Sequence, residues 1–331
     1  MLSVALAAAL ALSNPAAQAR PQTTVAPDPV TQNPATQEPS YDLEEIVVEG
    51  RNLEDATREF VREIAAPARN RGLARWRDGV CVGVVNLQTE VAEYIADRVS
   101  TVATDLGLRA GAPGCEPSIL IIATVDANDF TRQFVASRPT LFRVGGSGMD
   151  LGRNALRAFE RTDRPVRWWN VSVPVDSDTG QIAVRLPGDV SGNGAGDGSV
   201  MQYAPVITVR AASRLSTQIV DDSKRSFVII DVDRLAGVSL EQLADYIAMI
   251  SLAQVDPDAD TSGYSTILNV FDDPQQTPGL TNWDKAYLQG LYDTVRTRQN
   301  QASGLTEIEN SIIRAREDIV TDQETAADNL P

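Results

Sequence analysis

Glu241 and Asp245 stand four residues apart in a segment with helical apolar spacing, so both carboxylates fall on one helix face. Two carboxylates in one cleft can divide general-acid and general-base work when burial raises the pKa of one of them. Asp231 and Asp233, at alternate positions closing a strand-like run, are further candidates for the same chemistry. Asp256, Asp258 and Asp260 repeat at every second residue, as at the start of an EF-hand calcium loop. Thr261 holds the position that needs Gly there, and Ile267 the position of the bidentate Glu, so a solvated turn is the competing reading. Asp178-Thr179-Gly180 matches the tripeptide of aspartic proteases, whose chemistry needs two such carboxylates. It occurs once, between two alternating runs, where Asp and Gly are turn formers. Residues 188–200 (GDVSGNGAGDGSV) look like a single calcium-binding nonapeptide repeat, which functions only when stacked; a flexible loop is the simpler reading.

The 331-residue chain contains no histidine. That excludes a Ser-His-Asp triad, a Cys-His dyad and any imidazole-ligated metal, and no cofactor is implied. Cys81 and Cys115 are the two cysteines, and nothing near either would activate a thiolate. In an exported chain such a pair forms a disulfide. The formal net charge is −16, with Lys224 and Lys285 the only lysines. Such a surface repels phosphate backbones and anionic lipid, so nucleic acid is excluded as a partner. Arg51, Arg58, Arg62, Arg69, Arg71, Arg75 and Arg77 form one basic stretch, interleaved with Glu54, Asp55, Glu59 and Glu63. Charges so mixed read as a salt-bridged, solvated helix.

Residues 2–12 (LSVALAAALAL) are an apolar run too short to span a bilayer, and Ala17-Gln18-Ala19 gives a small-x-small cleavage pattern. Residues 1–19 therefore read as a signal peptide, and the protein as periplasmic or secreted with no membrane span. The proline-, glutamine- and threonine-rich stretch from Arg20 to about residue 42 reads as a disordered linker, residues 43–318 as one domain, and 319–331 as a frayed acidic tail. Within the domain, strands are expected at 45–49, 79–87, 118–125, 165–175, 180–186, 205–215 and 225–233. The run 165–175 should form a hairpin with 180–186 through the turn at Asp176–Gly180. Glu45-Ile-Val-Val-Glu-Gly50 also looks like the TonB-box segment of outer-membrane receptors, or a simple edge strand open to a partner sheet. Helices are expected at 52–65, 89–106, 127–136, 149–160, 239–254, 281–296 and 304–318, with Gly107 ending the second. Strands alternating with helices, then a hairpin, then helices, give an α/β (α+β) fold with a mixed twisted sheet flanked by helices. The expected 79–87 and 118–125 strands, if neighbours, would bring Cys81 and Cys115 together.

From Ser239 the chain reads SLEQLADYIAMISLAQVDPDADTSGYSTILNVFDDPQQTPGLTNWDKAYLQGLYD. This layout resembles the catalytic half of metzincin-type zinc proteases, in which H-E-x-x-H-x-x-G-x-x-H on a helix precedes a Met-turn and a helix near L-T-x-x-D-x-x-x-L-x-x-L-Y. Leu280, Thr281, Asp284, Leu288, Leu291 and Tyr292 match that last helix. The resemblance puts Gln242, Tyr246 and Leu252 at the three ligand positions, Leu243 in place of the catalytic Glu, Met249 in place of the Gly, and Leu268 near the Met-turn. None of these residues can hold zinc or activate water. The resemblance thus implies a degenerate zincin-like fold without a zinc site, and the chain is also similar to a group of exported bacterial proteins. The expected function is a non-catalytic binding protein with a protein or envelope partner. The alternatives are a metal-independent hydrolase using a carboxylate pair in the cell envelope, and an envelope structural protein.

Overall fold

Apolar runs too continuous to be one-sided must be buried on both faces, and they form a sheet between two layers of helices. In the computed structural model, which describes residues 53–68, 71–143, 151–184, 217–297 and 301–328, the chain opens with helix α1 (Leu53–Ile64). The expected strand at 79–87 is broken at Cys81 into β1 (Gly79–Val80) and β2 (Val82–Val85). Helix α2 (Thr89–Asp105) follows, and Gly107, at φ +78°, turns the chain out of it. Strand β3 (Arg109–Ala110) pairs in parallel with β1 as a separate two-stranded ladder. Next come β4 (Ile119–Thr124), helices α3 (Ala127–Ser137), α4 (Pro139–Phe142) and α5 (Gly152–Arg161), and the strands β5 (Val166–Asp176) and β6 (Ile219–Asp231). Helices α6 (Leu240–Leu252), α7 (Asn282–Asp293) and α8 (Gln301–Asp328) complete the described chain.

The main sheet has the order β2-β4-β6-β5: the first three strands are parallel and β5 is an antiparallel edge. Side chains alternate across it. Ile119, Ile121, Val166, Trp168, Val228 and Ile230 face α1, α2, α6, α7 and α8, in one large core. Trp169, Val171, Phe227 and Ile229 face α3, α4 and α5, in a second, aromatic-rich core with Phe134, Phe142 and Phe159. A mixed α/β fold with helices on both faces is therefore what the sequence pattern predicts and what forms.

The hairpin expected between 165–175 and 180–186 is short among the described residues. Asp176 Oδ1 accepts from the amides of Asp178 and Thr179 and from the Thr179 hydroxyl, the Asp176 amide donates to the Gln181 carbonyl, the Ala183 amide to that of Pro174, and Val175 bridges Ile182. The long partner is β6, which begins at Ile219 rather than at 225 and pairs along the whole of β5. The basic stretch is not one solvated helix. Arg58 does pair with Glu54 and Asp55, but Arg71 and Arg77 lie past α1 and bind Asp221 and Asp222 of β6. Finally, α8 runs to Asp328, past the point near Thr321 where fraying is expected. The expected strands at 45–49 and 205–215, the loop at 188–200, the signal peptide and the linker lie outside the described residues.

Cys81 and Cys115 are bonded, with Cα atoms 6.1 Å apart. The bridge ties the β1–β2 break to the loop before β4, closing the chain around α2. Gly111 is required beside it, since a Cβ there would sit 2.5 Å from Cys115 Sγ. Replacing both cysteines by serine is expected to lower unfolding free energy by about 2–4 kcal/mol in urea titration, because the open loop regains denatured-state entropy.

Candidate functional site

Helix α6 begins with a capping box: the Ser239 hydroxyl accepts from the Gln242 amide, and the Gln242 side chain accepts from the Ser239 amide. Gln242 Nε2 also donates to the carbonyls of Pro274 and Thr277 at 2.6 and 2.7 Å, so its amide is spent on fixing the helix start. Tyr246 is buried between Trp168 and Phe271, and Leu252 is core. Burial pushes the Tyr246 phenol well above its ordinary range. Every residue from Gln242 to Leu252 is buried, so the helix offers no open face at these three positions. Leu268 packs against the same core.

The four candidate carboxylates are not one site. Glu241 is exposed on the first turn of α6. Asp245, one turn on, is buried; Oδ1 accepts from Arg98 of α2 at 2.5 Å and Oδ2 from the Leu280 amide at 2.8 Å. Asp231 is buried at the end of β6 and Asp233 is exposed beyond it. Among the described residues no hydrogen bond or ion pair joins either of them to Glu241 or Asp245, and none of the four lines either of the two cavities described below. The aspartates at 256, 258 and 260 point to separate partners. Asp256 accepts from the Asp258 amide, Asp258 pairs with Arg164, and Asp260 accepts from Ser262. Among the described residues no three acidic or sulfur side chains gather as metal ligands.

Among the described residues, a groove of about 260 Å³ runs beside β5, whose outer edge from Val166 to Val173 pairs with no described strand. Arg167, Trp168, Trp169 and Asn170 all line it. Neighbouring strand residues point to opposite faces, so four in a row can line one cavity only where it meets the backbone edge. The opposite wall is α5, through Leu151, Ala155, Ala158 and Phe159, together with the loop Gln254–Asp258 after α6.

The groove's walls are fixed from below. Trp168 Nε1 donates to the Val255 carbonyl, Trp169 Nε1 to that of Phe142, and Asn170 Nδ2 to those of Ile250 and Ala253. These bonds hold β5 rigidly against the C-terminal end of α6. Arg167 is 3% exposed, and its Nη groups donate to the Phe159 carbonyl and Asn128 Oδ1. Its buried Nε has no partner among the described residues, and burial lowers its pKa. At the groove's end Arg164 donates to the Pro257 carbonyl and pairs with Asp258.

The arrangement supplies apolar walls, indole rings, the Asp256 and Asp258 carboxylates and a strand edge able to donate and accept main-chain hydrogen bonds. The residue pattern marks 165–175 as a strand, but nothing in it marks the stretch Val166–Val173 as the outer edge. Trp168-Trp169 is the available signal, two large rings on opposite faces of a strand that must both be covered. Among the described residues no helix is long and apolar enough to cross a membrane. No known protein family, no curated protein and no solved structure matches the chain.

Proposed function

We propose that the chain is an exported, non-catalytic binding protein that holds an extended peptide along the edge of β5. The observation that carries this reading is the groove at that edge, where four successive strand residues face a wall 151–162 built by α5. An extended segment laid there adds a strand to the sheet, with main-chain bonds giving affinity and the apolar wall giving selectivity. The resemblance to zinc proteases supports it further. The resemblance implies strand, helix, strand, edge hairpin, strands and helix; the chain runs β2, α2, β4, three helices, β5, β6 and α6, and Gln242, Tyr246 and Leu252 fill the three ligand positions. The disulfide suits an oxidising compartment, which supports export.

Selection of random linear peptides displayed on phage against the full chain tests the reading. Peptides that bind are expected to lose at least about tenfold in affinity, about 1.4 kcal/mol, against Ala155→Arg, which fills the groove from α5. Ala155 is half-buried on the groove wall, so the variant's thermal unfolding should stay close to that of the wild type. Peptides that bind both proteins equally would place the binding surface elsewhere.

A further inference from the structure

A second cavity, of about 330 Å³, lies at the other end of β5, between Pro174, Ile219 and Val220 of the β5–β6 ladder and the α7–α8 connection. This volume falls in the range of small-molecule sites, about 300–1,000 Å³. Three guanidinium groups line it, Arg71, Arg75 and Arg296, against one carboxylate, Asp221. Arg71 pairs with Asp221, and Arg296 pairs with Asp222 just outside the wall. Arg75 is different. Among the described residues it has no carboxylate within ion-pair distance, and its hydrogen bonds run from Nη1 to the Leu291 and Tyr292 carbonyls at the end of α7. Burial and the neighbouring Arg296 bring its pKa down to about 10, outweighing Tyr292, Asp293 and Asp222, which raise it. In a chain of net charge −16 such a site is a local exception.

The rest of the wall is apolar. Leu73, Ile219, Leu291, Val295 and Leu305 contribute to it, and Ile219 and Val295 remain 37% and 53% exposed. Exposed aliphatic side chains around an under-compensated arginine match a ligand with one anionic end and one apolar body. An inorganic anion would leave the aliphatic wall wet, and a neutral hydrocarbon would leave Arg75 uncompensated.

We propose that this cavity binds a small organic carboxylate with an aliphatic body, its headgroup at Arg75 and Arg296 and its chain against Ile219, Leu291, Val295 and Leu305. The site shares no residue with the β5 edge groove and does not depend on it.

Calorimetric titration of the full chain with octanoate, octanol and octylammonium tests it. Octanoate is expected to bind at least about tenfold tighter than either of the others, because only it satisfies both ends. Val295→Asp places a carboxylate on the exposed rim without touching the core and is expected to weaken octanoate at least about tenfold. Arg75→Gln should remove the preference for octanoate over octanol. If Arg75→Gln disturbs the α7 end and the fold, Val295→Asp still decides. Undetectable octanoate binding, equal binding of octanol, or an unchanged affinity in Val295→Asp overturns the proposal.

Discussion

Asp284→Ala is expected to lower unfolding free energy by about 3–5 kcal/mol in urea titration, among the largest single-residue effects in the protein. Asp284 is fully buried, and its two oxygens collect four donors. Oδ1 accepts from the Thr266 hydroxyl; Oδ2 accepts from the Ile267 and Thr281 amides and the Thr281 hydroxyl. One side chain thus caps α7 and ties it to the 3-10 turn at Ile267–Asn269. Alanine leaves two buried amides unpaired. The same residue carries a pH dependence. Burial raises its pKa from 3.8 to about 6, outweighing the hydrogen bonds that lower it. Between those values the folded protein holds a proton that the unfolded chain has released. The stabilisation from protonating Asp284 is therefore full below pH 3.8 and lost as pH rises through 6. Asp284→Asn does not titrate. Relative to that variant, the wild type should gain about 2 kcal/mol between pH 7 and pH 4. A constant difference across that range would show that the carboxylate stays ionised when folded.

Arg98→Ala is expected to destabilise by about 3 kcal/mol, because it strands the Asp245 carboxylate in the core between α2 and α6. Asp245 is 2% exposed, and Gly279 is held against it so closely that a Cβ there would stand 2.6 Å from Oδ2. The double variant Arg98→Met/Asp245→Leu should recover most of the loss, since an apolar pair removes both charges together. Failure of the double variant to recover would mean that Asp245 acts mainly through the Leu280 amide. The pair also bears on the hydrolase alternative. Both oxygens of that carboxylate are taken by a guanidinium and a backbone amide in the core, and no hydrogen bond joins it to Glu241 among the described residues.

The parts of this structure legible in the sequence are those set by local chemistry. Ser239 and Thr281 announce helix starts because a hydroxyl followed three residues on by Gln242 or Asp284 is a capping box. The apolar runs at 119–124 and 227–230 read as buried strands because both faces of a central strand are covered. The disulfide follows from two cysteines beside strands that pair in parallel. What was not legible depends on partners distant in the chain. Arg77 sits beside Asp78 in sequence, yet it binds Asp222, and Arg71 binds Asp221, both far along the chain. Nothing in the interleaved charges distinguishes those arginines from Arg58, which does pair locally. The segment after the Asp178-Thr179-Gly180 turn does pair with the end of β5, at Val175 and Ile182, as a tight turn favours. The long partner, Ile219–Asp231, offers a ladder along the whole of β5, including a β-bulge at Val171 and Ser172 that no local signal marks. Both cavities are consequences of these long-range pairings. One lies beside the outer edge of β5, opposite the side that β6 takes. The other lies where the arginines meet β6 and α7.

An added strand on β5 can be read by hydrogen–deuterium exchange with and without a selected peptide. Peptide binding is expected to slow exchange in Val166–Val171 and in the facing α5, and to leave the central strands β4 and β6 as they were. Slowing confined to other elements, with β5 unchanged at saturating peptide, would contradict it.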